Sequence, residues 1–236
     1  MAKIVVAFDI YGTLLSFDAA THELEQHFRA DGNRARTVAQ TWRRYQLEYT
    51  WRLNSMGRYL PFNEVTRNAL LHALDDTGSF LRTQETDEVL AAYNRLQPFP
   101  DVEEALTKLM DASTVLKPVV FSNGTADMVK ACIDHAPAVS RFAGLTEIIS
   151  AHEVQQYKPA QAAYRHLREK ACTPDTKEVW LISANPFDIA GALSAGIKTI
   201  WVDRSQAGWT DRTLPDVVPT AVVSHLTECV DIILKR

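Results

Sequence analysis

In this chain, polar side chains recur directly after short apolar runs, and their types suit a carboxylate nucleophile with its supports. Asp9 follows Ile4-Val5-Val6-Ala7-Phe8, and Ser122-Asn123 follows Pro118-Val119-Val120-Phe121. Ser183, Asn185 and Asp188 follow Val179-Trp180-Leu181-Ile182, and Tyr157-Lys158-Pro159 comes after Ile148-Ile149. A desolvated carboxylate is costly to bury without a partner or a task. Two carboxylates, an ammonium and hydroxyls in one crevice would make a nucleophile site and the groups that steady it.

Collecting residues so far apart in sequence requires strands that end on a common edge. The five-residue run Ile4–Phe8 is apolar throughout and largely β-branched, which reads as a strand buried on both faces. Further strands are expected at Pro118–Phe121, Ile148-Ile149, Val179–Ile182, Thr199–Val202 and Ala221–Val223. Helices alternate with them: one opened by Asp101 and Glu104 as a capping box, one through Met128 and Cys132, one from Ala160 to Ala171, one from Phe187 to Ala195 stopped by Gly196, and a terminal helix. This alternation is α/β, a doubly wound parallel sheet, whose ligands bind outside the carboxyl ends of the strands.

Between Leu15 and Pro98 the pattern is helical. It starts around Thr21–Phe28 and continues through Arg34–Met56, where Ala35, Ala39, Trp42, Tyr45, Tyr49 and Leu53 form an apolar stripe. Leu47 and Trp51 fall on another face. A third helix runs through Val65 to Leu74 and ends at Asp76-Thr77-Gly78, and a fourth is expected over Asp87–Leu96. The expected organisation is a core of residues 1–15 and 98–236 with a helical insert at 16–97.

Composition narrows the function classes. Net charge is −4, from 25 basic and 29 acidic residues, which favours neither nucleic-acid binding nor an acidic disordered chain. No stretch reaches the length of a membrane span, and the first apolar run is too short for a signal peptide. Cys132, Cys172 and Cys229 are few and scattered, fitting free thiols in a reducing compartment. A cytoplasmic location is the expectation. The seven histidines show no ligand spacing in the sequence, and no metal or cofactor is expected.

Four segments in order, Phe8-Asp9-Ile10-Tyr11-Gly12-Thr13-Leu14, Ser122-Asn123-Gly124, Tyr157-Lys158-Pro159 and Ser183-Ala184-Asn185-Pro186-Phe187-Asp188, resemble the four motifs of the haloacid dehalogenase superfamily. Its phosphatases carry a second Asp two residues after the nucleophile. Tyr11 stands there, which is similar to the type II L-2-haloacid dehalogenase branch. The stretch Trp42-Arg43-Arg44-Tyr45-Gln46-Leu47-Glu48-Tyr49-Thr50-Trp51 resembles that branch's cap helix.

The resemblance implies a Rossmann-like core with a helical cap and hydrolysis of short L-2-haloalkanoic acids to inverted 2-hydroxy acids through an aspartyl ester. It implies Asp9 as nucleophile, Arg43 drawing off the halide with Asn123 helping, and Ser122 with amides near Tyr11 holding the substrate carboxylate. Lys158 would steady the nucleophile. Asp188 would orient or activate the hydrolytic water, supported by Thr13, Ser183 and Asn185. Tyr11, Leu47, Phe62 and Phe187 would wall the pocket, and Tyr164 would support the site. Members are often dimers, so a homodimer is an open expectation. This chain departs from the branch at Ala184 and Phe187, where Ser and Trp are usual, and at Arg44, where Gln is common. The alternatives are a magnesium-dependent phosphatase or phosphonatase using Asp9 and Asp188, and a silent binding protein that keeps the fold.

Overall fold

The computed structural model describes residues 3–29, 31–140 and 147–235. In chain order the elements are β1 (Ile4–Phe8), β2 (Leu15–Ser16), α1 (Asp18–His27), α2 (Gly32–Ser55), α3 (Phe62–Asp76), α4 (Thr83–Tyr93), β3 (Gln97–Pro98), α5 (Val102–Asp111), β4 (Leu116–Ser122), α6 (Ala126–Asp134), α7 (Pro137–Ser140), β5 (Glu147–Ser150), α8 (Gln161–Ala171), β6 (Glu178–Ser183), α9 (Pro186–Ser194), β7 (Lys198–Val202), β8 (Ala221–Val223) and α10 (Cys229–Leu234).

Six strands form one sheet in the order β5-β4-β1-β6-β7-β8, with every pairing parallel. β1 is central, aligned with β4 from Ile4↔Leu116 to Phe8↔Val120 and with β6 from Ile4↔Glu178 to Phe8↔Ile182. Its period-two alternation feeds two cores at once. Ile4, Val6 and Phe8 pack with α5, α6 and the helical insert, whereas Val5 and Ala7 pack with α8 and α9. That is why the run has no polar position: a charge on either face would be desolvated. Fully burying each valine contributes about 1.5–3 kcal/mol.

The insert comprises α1 to α4, tied at its root by the short antiparallel ladder of β2 with β3. α2 starts where Asp31 caps it by accepting the Arg34 amide at 3.1 Å. It buries Ala35, Val38, Trp42, Tyr45, Gln46 and Thr50. Leu53, Tyr49 and Ala39 complete the anticipated stripe only partly buried. The Trp42 indole donates to the Thr66 carbonyl at 2.8 Å, locking α2 onto α3.

Two expectations need correction. The fourth insert helix runs over Thr83–Tyr93 and not Asp87–Leu96, because Arg82 and Glu85 form its amino-terminal box and the chain turns at Asn94 toward β3. Asp101 does not cap α5 with its side chain. Its carboxylate accepts instead from Arg204 at 2.9 and 3.2 Å and from the Leu226 amide at 2.9 Å. The glycine stop of α9 is present: Gly196 has φ +68°, a region that costs other residues strain. Among the described residues no helix is long and apolar enough to cross a membrane.

Candidate active site

Asp9 leaves the end of β1 as its amide donates the last ladder bond to the Ile182 carbonyl at 3.0 Å. The chain then reverses. The amides of Thr13, Leu14 and Leu15 all point to the Ile10 carbonyl, and Gly12 sits at φ +82°. The reversal brings the Thr13 hydroxyl back to donate to Asp9 Oδ2 at 2.7 Å, while the same hydroxyl accepts the Ala184 amide at 2.9 Å. Local sequence thus closes one side of the carboxylate.

The ends of the neighbouring strands close the rest. The Ser183 hydroxyl and the Asn185 amide donate to Asp9 Oδ2 at 3.3 and 2.7 Å. Asn185 also donates to the Tyr11 carbonyl at 3.0 Å. Asp9 Oδ1 receives the Lys158 ammonium at 2.9 Å. One carboxylate oxygen is therefore held by three donors, and the other faces a cation. Asp9 is 5 % exposed.

Lys158 is fully buried and bridges the two acids, donating to Asp188 Oδ2 at 2.7 Å and to the Phe121 carbonyl at 3.0 Å. Burial pulls its pKa down, but Asp188 and Asp9 outweigh that and hold the ammonium above its ordinary value. The Lys158 amide donates to Asn123 Oδ1 at 2.8 Å, so the end of β4 fixes this loop. Asp188 opens α9, and its other oxygen accepts the Tyr164 hydroxyl at 2.8 Å. Burial pushes the Asp188 carboxyl up, and Lys158 opposes it. Burial, and then Asp188, raise the Tyr164 phenol.

The expectation that Thr13, Ser183 and Asn185 brace Asp188 is corrected by these contacts. All three hold Asp9, because the turn after β1 and the loop after β6 set them over Oδ2, and Asp188 is held by Lys158 and Tyr164. Ser122 accepts the Gly124 amide at 3.0 Å, a turn contact that leaves its hydroxyl proton free to donate elsewhere.

Arg43 comes from α2. Its guanidinium donates to Gln46 Oε1 at 2.7 Å and to Asn185 Oδ1 at 3.3 Å, and it lies 4.7 Å over the Phe17 ring. It thus approaches Asp9 through the Asn185 amide. Tyr11 is buried against Phe62 and Tyr93, with ring centroids 5.8 and 5.3 Å apart. Burial pushes its phenol well above the ordinary value. Phe62 also meets Tyr157. Leu47, one helical turn from Arg43, is half-buried, and Phe187 is half-buried with its ring edge-on to Trp51 at 5.7 Å. A cavity of about 310 Å³ opens beside Arg43, lined by Phe17, Ala20, Trp42, Gln46 and Tyr93.

Sequence reasoning left several contacts unassigned. Gln46 touches Arg43 and carried one signal, its place three residues along the same helix face. Asn54 pairs with both backbone groups of Tyr157, at 2.7 and 2.9 Å, and ties α2 to the Lys158 loop. Nothing local could reveal a pairing across 103 residues. The histidines did hide one cluster: His27 lies 3.4 Å from both Glu23 and Glu88, with the ligand-type atoms within 4.8 Å of one another. It sits on α1 and α4, not at the sheet edge.

Comparison with known proteins decides the family. A model of haloacid dehalogenase-like hydrolases matches residues 5–196. The chain belongs to the haloacid dehalogenase-like hydrolases. Within this family it is 35% identical to an (S)-2-haloacid dehalogenase of Xanthobacter autotrophicus, over 86% of this chain and 76% of the relative. It is 32% identical to the haloacetate dehalogenase H-2 of Moraxella sp. strain B, over 86% and 88% of the two chains. It superposes on the structure of an L-2-haloacid dehalogenase from Xanthobacter autotrophicus with a TM-score of 0.81 and 30% identity, covering 99% of each chain. A second structure of that enzyme holds chloropropionic acid covalently bound, at a TM-score of 0.80 over 99% of each chain. The core of this hydrolase is the α/β sheet whose strand ends carry Asp9, Ser122 and Ser183, with Asp188 in the first turn of α9.

Proposed function

We propose that this hydrolase cleaves the carbon–halogen bond of short L-2-haloalkanoic acids, giving inverted 2-hydroxy acids through an ester on Asp9. The observation that carries the reading is the buried, neutral phenol of Tyr11 two residues after Asp9, together with a Lys158 ammonium that bridges Asp9 and Asp188. A phosphate ester needs an acid to protonate its departing alkoxide. A halide leaves as a stable anion and needs only a carboxylate held in line and a cation where its charge develops. The covalently bound chloropropionic acid in the Xanthobacter enzyme supports the same route.

Asp9 Oδ1, with a single donor among the described residues, supplies the electron pair that attacks the halogen-bearing carbon. The carbon–halogen bond breaks with its pair on the halide, which Arg43 and Asn123 receive. Ser122 and the amides near Tyr11 hold the substrate carboxylate, and Tyr11, Leu47, Phe62 and Phe187 bound its substituent. Asp188, made more basic by burial, accepts a proton from water as that water attacks the Asp9 ester carbonyl. The acyl–oxygen bond then breaks, the departing alkoxide takes that proton back from Asp188 and leaves as the hydroxy acid, and the water's second proton is lost to solvent as Asp9 returns to a carboxylate. Thr13, Ser183 and Asn185 hold Asp9 through both steps. Residues 16–97 act as the cap over the core of 1–15 and 98–236. The same reading places the protein in the cytoplasm, where its free thiols suit a reducing compartment, and carries a homodimer that sedimentation would test.

Two anchors and an attack line leave one side of the reacting carbon for its substituent. One enantiomer of 2-chloropropionate is therefore consumed; by the resemblance to the L-2-haloacid dehalogenases it is the L form, which yields D-lactate. One methylene more or less in an apolar pocket changes binding by about 1–3 kcal/mol, so haloacetate and 2-halopropionate both react. Chiral chromatography of the lactate checks this. Equal rates for both enantiomers, or retained configuration, would overturn the anchors.

A further inference from the structure

Arg43 belongs to a helix outside the sheet, yet its guanidinium must stay within one amide of Asp9. A long, rotamer-rich side chain does not hold such a place without a partner that fixes it. Its contact to Asn185 is 3.3 Å, whereas that to Gln46 Oε1 is 2.7 Å. Gln46 is 1 % exposed, and a glutamine is seldom buried so completely unless it is bonded on all sides.

Its other end is fastened. Nε2 donates to Thr66 Oγ1 at 2.7 Å and to the Tyr93 hydroxyl at 3.1 Å. The Thr66 hydroxyl spends its own proton on the Phe62 carbonyl at 2.6 Å, so toward Gln46 it can only accept. That settles which way the amide points. A flipped amide would set NH₂ against the guanidinium donors and a carbonyl against the lone pairs of Thr66. Burial keeps the Tyr93 phenol neutral by raising its pKa, while Arg43 opposes. α2, α3 and α4 thus converge on a single amide whose oxygen accepts from Arg43 at 2.7 Å and, more loosely, from the Tyr93 hydroxyl at 3.3 Å.

The amide matters as a type. A carboxylate at this position would grip the guanidinium equally well but would cancel its charge at close range. A neutral acceptor fixes the cation and leaves its field directed toward Asn185 and Asp9.

We propose that Gln46, anchored by Thr66 and Tyr93, is the positioning residue that holds Arg43 as an uncompensated cation for the departing halide. This rests on the dehalogenase reading above. Four proteins test it: the wild type, Gln46→Glu, Gln46→Met and Thr66→Val. Halide release from chloroacetate and iodoacetate is followed, together with inhibition by added bromide. Gln46→Glu should lower kcat for chloroacetate by about 100-fold, the scale at which a misplaced or lost charge-stabilising group acts, with KM nearly unchanged. Iodoacetate, with the better leaving group, should lose less. Bromide inhibition should weaken at least tenfold in Gln46→Glu and Gln46→Met. Thr66→Val, which never touches Arg43, should shift all three readouts the same way by a smaller factor.

Folded Gln46→Met and Thr66→Val proteins with wild-type kcat and wild-type bromide inhibition would overturn the proposal. An equal loss on both substrates with bromide inhibition intact would do the same, because it would mark Gln46 as a tie between helices only. If the Gln46 variants do not fold, Thr66→Val and Tyr93→Phe decide by the same readouts. A wild-type protein that releases no halide from either acid would instead remove the dehalogenase reading itself.

Discussion

Replacing Lys158 by methionine keeps most of the buried stem and removes only the charge. Its ammonium is 1 % exposed and meets Asp9 and Asp188, whose side chains are 7 % and 0 % exposed. Taking one partner from a buried pair costs about 3–5 kcal/mol, because a desolvated charge is left uncompensated. Here two carboxylates are left facing one another, so the upper part of that range applies at neutral pH. The loss should depend on pH in a known direction. A carboxyl whose folded pKa is raised binds its proton more tightly folded than unfolded. Stability then falls as pH rises from the unfolded value, about 3.9, through the folded one. Burial already raises Asp188, and removing the ammonium that opposes it widens this window upward. The variant should regain about 1.4 kcal/mol per pH unit on acidification within the window. Urea unfolding of both proteins at pH 5.5 and pH 8 measures it, and Lys158→Met/Asp188→Asn should recover part of the loss at pH 8. A loss independent of pH, or no change in the midpoint, would refute the assignment of Lys158 as the charge that allows both acids to be buried.

Two further outcomes are expected. A Cβ on Gly191 would collide with the Tyr164 hydroxyl and lie 2.7 Å from Pro159 Cβ, so Gly191→Ala should loosen the Tyr164–Asp188 bond. Overpacking of about 1–3 kcal/mol outweighs the helix-propensity gain of about 1 kcal/mol, so thermal melts should show a less stable, slower protein; a stabilised one would contradict the packing. At pH 8 the native protein should expose one fast thiol to alkylation, the half-buried Cys172. Burial pushes Cys132 up to about 11 and Cys229 higher still, so both should react only in urea.

What the sequence disclosed follows from what is local. The Ile4–Phe8 run announced a doubly buried strand because both its faces meet apolar cores. The polar residues after the runs at 118–121 and 179–182 converge because parallel strands end on one edge. Arg43 and Tyr11 were legible through segments resembling a known family. The hidden part depends on partners arriving from a distance. Asp101 reads as a cap in isolation, but Arg204 and Leu226 claim its carboxylate. Thr13, Ser183 and Asn185 could have served either acid until the turn at Ile10 set the first, and the register of β1 with β6 the other two, over Asp9 Oδ2. Gln46 stands within the cap-helix stretch itself, yet its amide acquires meaning only when Thr66 and Tyr93 fix its direction.

The central claim is that Asp9 itself becomes the ester. Asp9→Asn should fold like the wild type and lose essentially all turnover. The wild type, in excess over L-2-chloropropionate in water enriched in heavy oxygen, should complete a single turnover with label in the Asp9 peptide and none in the lactate. Water attacks the ester carbonyl, so its oxygen stays on the enzyme. Labelled lactate with an unlabelled Asp9 peptide would mean that water displaced the halide directly, and would contradict the account.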